Sequence, residues 1–254
     1  MRFAAAFIAL LGLTVTGEAR DLQRLREGEP QFEIIGFSQD GGAFAFVEYG
    51  FADWAGPYAR LSIVDTASGA AFGGGPFRAG SLRDGAGIPD GSLPATEADY
   101  DGVLAEAATL ADGALREAGL VGGDPSDAGH VLVFNPPTEM QQTARFVTRR
   151  GYAFTRTPLA LTIADVPLAP PARCAFGIEG FAGVEIVLAD DTGAELFRSR
   201  EDAVPTERGC PAHYTITALV RHERTGATML ILMTESPSFE GRILSYSAVA
   251  LPAL

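Results

Sequence analysis

Within eleven residues the chain sets Glu48, Tyr49, Phe51, Asp53, Trp54 and Tyr58 around Gly50 and Gly56. Tyrosine and tryptophan combine large apolar area with a polar handle, which suits noncovalent recognition. Tyr49, Trp54 and Tyr58 would serve as anchors. Glu48 and Asp53 would orient a polar group or an arginine on the ligand. An envelope protein, a peptide or a glycan fits that chemistry. The same residues also suit a loop folded over the end of a sheet, its rings plugging a core. A second polar group lies near the C-terminus, where Glu240 and Arg242 follow Phe239. Two positions apart, both side chains would share one face of a continuous strand. They would serve either as a binding pair or as an ion pair that holds a turn.

Covalent and metal chemistry finds less support. Lysine is absent and all 19 basic residues are arginine. That removes Schiff-base chemistry and any phosphate loop that needs its lysine. The three histidines, His130, His213 and His222, form no HExxH motif and no closely spaced pair. Nine residues separate His213 from His222, which puts them at opposite ends of an uninterrupted strand. Asp190 and Asp191 lack the alternating oxygen ligands of a calcium loop. Gly36-Phe37-Ser38 does not continue into a nucleophile elbow. No catalytic residue, metal site or cofactor is assigned. A hydrolase acting on an envelope sugar or peptide is the alternative to binding. It would require two facing carboxylates, or a serine within reach of a histidine.

The formal charge is -13, with 32 acidic residues. Such a chain has little positive charge with which to displace counterions from nucleic acid. Arg2, the apolar run Phe3–Leu13 and the small residues Gly17 and Ala19 have the layout of a secretory signal. Cleavage after Ala19 would leave a mature chain from Arg20. No later apolar run reaches the length of a membrane-spanning helix. The expected location is periplasmic or secreted. In an oxidising compartment the only two cysteines, Cys174 and Cys210, are expected to form a disulfide.

These residues need elements to position them. Phe32, Ile34 and Gly36 alternate, as do Phe44 and Phe46, and Asp40-Gly41-Gly42 between them fits a hairpin turn. Leu61 and Ile63 continue in a third run. Residues 73–94 are rich in Gly, Pro, Ser and Asp and read as a long loop. The period then changes. Tyr100, Val103, Leu104, Ala107, Leu110, Ala111 and Ala114 fall at helical steps, with Thr96 and Asp99 as a capping box and Gly119 at the far end. This predicts one amphipathic helix over about 97–118, in an insertion covering about 73–122. Eight further strand candidates follow between His130 and Leu251. Three turns look alike: VDTASG, ADDTG and HERTG, ending at Gly69, Gly193 and Gly226. The expectation is a single mainly β domain over 20–254. It takes the form of a small degenerate β-propeller with one inserted helix, its first and last strands closing together. A β-sandwich with a helical insertion is the alternative.

Residues 36–69 resemble the opening of a family of predicted secreted bacterial proteins of unknown function. The resemblance rests on Gly36, Phe37, Ser38, Asp40, Gly41, Glu48, Tyr49, Gly50, Pro57, Tyr58, Val64 and Asp65. Near the C-terminus, Phe239, Glu240, Gly241 and Arg242 are similar to the family's closing motif, with Ser238 in place of its leading glycine. The GFS-x-DG hairpin also resembles the repeats of TolB-like propellers. The resemblance implies export and no particular chemistry. Taken with the aromatic segment, it leads to the expectation of an exported noncatalytic binding or envelope-assembly protein.

Overall fold

The computed structural model describes residues 29–52, 56–80, 96–121, 129–135, 141–149, 156–174, 180–204, 208–238 and 241–254. The signal segment, Asp53, Trp54, most of the 73–94 loop, Phe239 and Glu240 lie outside the described residues. The architecture is mainly β: three four-stranded antiparallel sheets with one inserted helix. The chain forms two compact units. The first holds residues up to Gly129 together with His222–Ala227, and the second holds the remainder.

In the first unit β1 (Gln31–Phe37), β2 (Ala43–Ala52), β3 (Gly56–Asp65) and β4 (Phe77–Gly80) pair in chain order. Helix α1 (Glu97–Glu117) packs against this sheet. Ala43, Ala45, Val47 and Tyr49 alternate along β2 and share a core with Ala59, Leu61 and Ile63 of β3. Tyr100, Val103, Leu104, Ala107, Ala111 and Leu115 complete that core from the helix. Alanines at the contact (Ala45, Ala59, Ala79, Ala107 and Ala111) let helix and sheet approach closely, with the larger side chains around them. The helix starts at its expected cap. The Asp99 carboxylate accepts the Thr96 backbone N–H at 2.8 Å and its hydroxyl at 2.7 Å. Its far end closes with the Leu120 N–H donating to the Leu115 carbonyl at 2.9 Å.

The turn between β1 and β2 explains the GFS-x-DG segment. Ser38 Oγ donates to Asp40 Oδ1 at 2.7 Å and accepts the Ala43 N–H at 2.9 Å. Asp40 Oδ1 also accepts the Gly42 N–H at 2.9 Å. Each polar residue of the motif thus satisfies the loop itself.

The second unit contains two sheets. One runs β6 (Thr143–Arg149), β7 (Arg156–Pro167), β8 (Ala182–Asp190), β9 (Glu195–Arg200) in chain order. The other has the order β12 (Gly241–Leu251), β11 (Thr228–Ser238), β10 (His213–Arg221), β5 (His130–Phe134). All eight strand candidates of this half form strands. Phe146, Leu161, Ile163, Val184, Ile186 and Leu188 of the first sheet share a core with Tyr214, Ile216, Leu219, Leu230 and Leu232 of the second. Closure between first and last strands is not what the sheets do. β1 pairs with β2 and β12 with β11, in separate sheets. β5 pairs with the edge of β10 away from β12, so the C-terminal sheet takes its fourth strand from just after the helix. Cys174 and Cys210 form a disulfide with Cα atoms 5.6 Å apart. It ties the short 3-10 turn Ala172–Cys174 to the segment that leads into β10.

The three similar turns share one hydrogen-bonding scheme. Asp65 Oδ1 accepts the Ser68 hydroxyl and N–H, each at 2.7 Å. Asp190 Oδ1 accepts the Thr192 hydroxyl at 2.7 Å and its N–H at 2.9 Å. In the third turn His222 Nδ1 takes the carboxylate's place, 2.8 Å from Thr225 Oγ1. Gly69, Gly193 and Gly226 close the turns in the left-handed region, with φ of 71°, 84° and 76°. Hydroxyl and backbone donors hold the carboxyls of Asp65 and Asp190 below the ordinary range, the hydroxyl contributing most. A depressed folded-state pKa gives stability that is complete above the unfolded value of about 3.9 and lost as pH falls through the folded value. We therefore expect thermal stability to fall on acidification below about pH 4. The Asp65→Asn/Asp190→Asn variant should show a shallower fall across the same range. An unchanged acid slope in melts between pH 7 and 2 would contradict the scheme.

Candidate functional site

The aromatic segment is the distal part of a long hairpin. β2 and β3 pair without interruption from Ala43–Asp65 to Ala52–Gly56. Glu48 faces Arg60 and Gly50 faces Tyr58 directly across the strands. The buried Glu48 carboxylate accepts from Arg60 Nη2 at 2.6 Å and from the Tyr58 hydroxyl at 3.0 Å. Gly50 makes this possible. A Cβ at that position would lie 2.9 Å from the Tyr58 ring, so only glycine lets the ring lie across β2. Tyr58 is 8% exposed.

Tyr49 points to the opposite face and is 3% exposed. Its hydroxyl donates to Gln31 Oε1 at 3.0 Å and its ring lies 6.2 Å from that of Tyr100 on α1. Both tyrosines expected as surface anchors are therefore interior, and Glu48 faces Arg60 and Tyr58 instead of a ligand. Their burial follows from sheet geometry. Glu48 and Gly50 alternate with Val47 and Tyr49 on a strand covered on both faces. Asp53 and Trp54 belong to the three residues joining β2 to β3 and lie outside the described residues. So does Glu240. Arg242, on β12, is 48% exposed, and its Nη1 donates to Glu235 Oε2 at 3.1 Å.

A polar cluster that the sequence did not single out lies in the second unit, at the start of β10. Asp165 ends the apolar stretch of β7. Its Oδ2 lies 2.5 Å from His213 Nδ1, and its Oδ1 accepts the Tyr214 N–H at 3.0 Å. Gln142 Nε2 donates to Asp165 Oδ2 at 3.3 Å and to the Tyr214 carbonyl at 3.2 Å. Tyr214 is fully buried and its hydroxyl donates to the Ala182 carbonyl at 3.2 Å. Burial pushes the Tyr214 phenol up to about 12, so it stays neutral at physiological pH. Beside it, Arg208 pairs with Glu201 at 2.6 Å and sits 5.9 Å from the Tyr214 ring centroid. The disulfide, this ion pair and the buried phenol hold the first residue of β10 in place. Glu235 faces His213 across the β10–β11 pair. Forty-eight residues separate Asp165 from His213. The one local sign of the contact is a carboxylate directly after the apolar run of β7.

Among the described residues no three or more His, Cys, Asp or Glu side chains converge as a metal site. His213 lies at one end of β10 and His222 just beyond the other, as their spacing requires. No helix among the described residues is long and apolar enough to cross a membrane.

Residues 45–251 match the family described as "Predicted secreted protein (DUF2259)". The chain belongs to this family, which agrees with the export expected from its first residues. No curated protein and no solved structure matches it.

Proposed function

We propose that this member of a secreted protein family is a binding or assembly protein of the cell envelope, and that the β2–β3 hairpin is its recognition element. One observation supports the reading: the buried Glu48–Arg60–Tyr58 network under an uninterrupted ladder. A hairpin fixed in this way holds the strand ends Ala52 and Gly56 in register, and a preorganised element binds more tightly because less order is lost on binding. In this reading Trp54 is the anchor and Asp53 orients a polar group on the ligand. Tyr49, Tyr58 and Glu48 position the strands from inside. Arg242 belongs to the other unit and is not part of this element.

The partner class is an envelope protein or peptide, and a glycan is the competing outcome. The test uses native envelope extract and the mature chain. Wild-type protein should capture a defined partner, and Trp54→Ala should weaken its binding roughly thirtyfold, the ~2 kcal/mol typical of a lost aromatic anchor. Circular dichroism of the variant should match the wild type. Unchanged affinity in folded Trp54→Ala would defeat the reading. Turnover of an envelope sugar or peptide, lost on removing one carboxylate without unfolding, would favour a hydrolase instead.

A further inference from the structure

We propose that β12 is a self-association edge: it pairs antiparallel with β12 of a second copy about a two-fold axis at Ser247, which joins the two C-terminal sheets into one. The edge lies in the second unit and is independent of the hairpin reading.

A sheet edge is normally kept short, charged or bulged, because its open backbone groups otherwise accept another strand. The other terminal strands of the second unit follow that rule. β5 has five residues, and its pairing shifts register between Leu219 and Val220 of β10. β9 carries Glu195, Arg198 and Arg200, and its pairing shifts between Leu188 and Ala189 of β8. β6 carries Arg145 and Arg149. β12 has none of these protections. It is 11 residues long and pairs with β11 without a register shift from Thr228–Leu251 to Ser238–Gly241. Beyond Arg242 it holds neither a charge nor a proline. Among the described residues its outer edge joins no other ladder. The Thr234 hydroxyl donates to the Ser245 carbonyl at 3.0 Å, so that carbonyl faces β11. By strand alternation the backbone groups of Leu244, Ala248 and Ala250 then face outward.

The strand complements itself. With Ser247 on the axis, Ile243 lies opposite Leu251 of the second copy, Leu244 opposite its Ala250 and Tyr246 opposite its Ala248. Large side chains meet small ones, and Ile243, 58% exposed, gains an apolar neighbour. Ser247 lies opposite Ser247 of the second copy. Its Oγ is buried and has no hydrogen-bond partner among the described residues. A hydroxyl both donates and accepts, so two such groups facing each other across the axis form a hydrogen bond. Charge also admits a second copy. The chain has a formal charge of -13, yet Ile243–Leu251 contains no charged side chain, so no like charges are opposed in this register. These matches select the chain itself over an unrelated strand.

The experiment is sedimentation velocity of the full mature chain, disulfide intact. The expected result is a monomer–dimer equilibrium that shifts with concentration across the micromolar range. Ile243→Asp sets a carboxylate opposite Leu251 twice in each dimer. It should weaken the dimer roughly tenfold or more, with circular dichroism unchanged because the position is exposed. Ser247→Cys reads the register. Ser247 shares the strand parity of Ser245, so the pair across the axis is non-hydrogen-bonded, with Cα atoms about 4.5 Å apart and within disulfide range. Mild oxidation should therefore give a covalent dimer whose non-reduced peptides join residue 247 to residue 247. Leu110→Cys, at an exposed position of α1, should not cross-link under the same oxidation. Should Ser247→Cys fail to fold, the Ile243→Asp comparison decides by itself. A wild type that stays monomeric throughout that range, a dimer equally strong in Ile243→Asp, or folded Ser247→Cys that forms no 247–247 link would overturn the proposal.

Discussion

Arg60→Ala should lower the unfolding free energy by about 3–5 kcal/mol, because it removes the cation paired with the buried Glu48 carboxylate. The Glu48 side chain is 3% exposed and that of Arg60 12%, so water cannot replace the lost guanidinium without opening the hairpin. Tyr58 would remain as a donor to Glu48 Oε1, but a neutral hydroxyl does not replace the positive charge of the guanidinium. Removing both charges together should act differently. A Glu48→Gln/Arg60→Met pair keeps the volume and an acceptor for Tyr58, and it should recover most of the loss. Urea unfolding of the three proteins reads the difference directly. A loss below about 1 kcal/mol for Arg60→Ala would mean that the pair behaves as a surface ion pair and that the hairpin is not locked.

Replacing Cys174 and Cys210 by alanine should have an effect of similar size. The bridge spans 36 residues. Chain entropy for a loop of that length gives about 4 kcal/mol, within the ~2–5 kcal/mol seen when native bridges are removed from small secreted domains. The effect should concentrate in the second unit, where Cys210 stands three residues before His213. Hydrogen exchange at the start of β10 should quicken more than exchange in α1. Non-reducing peptide mapping of protein taken from the envelope should recover the two cysteine peptides joined. Two free thiols there would refute the bridge.

The sequence is readable wherever structure is local. Ser38, Asp40 and Gly41 specify their own turn, so the β1–β2 hairpin can be located from the GFS-x-DG motif alone. Thr96 and Asp99 announce the helix start for the same reason. The pairing of Cys174 with Cys210 follows from their being the only two. The aromatic segment misleads for a physical reason: composition alone does not reveal which face of a strand a ring takes. Gly50 opposite Tyr58 carries the missing information, since a glycine there leaves room for a ring to cross the strand. Setting the hairpin in register brings Arg60 opposite Glu48 and exposes the ion pair. The Asp165–His213 contact is of another kind. It joins β7 to β10, and no local pattern encodes which strands of two sheets will meet.

The order in which the second unit's strands are made has a bearing on how the protein is secreted. β5, HVLVF, is synthesised before the whole β6–β9 sheet, yet its partner β10 comes only after it; Asn135 meets Ile216 from 81 residues away in the chain. A chain that emerges from its N-terminus must therefore carry β5 as an unpaired apolar strand until β10 arrives. Closure over that distance is slow compared with hairpin formation, and an unpaired strand edge is the kind of surface on which chains aggregate. Holding β5 apart from its neighbours during export is thus a kinetic demand that the topology places on the cell, and one that grows with the concentration of the secreted chain.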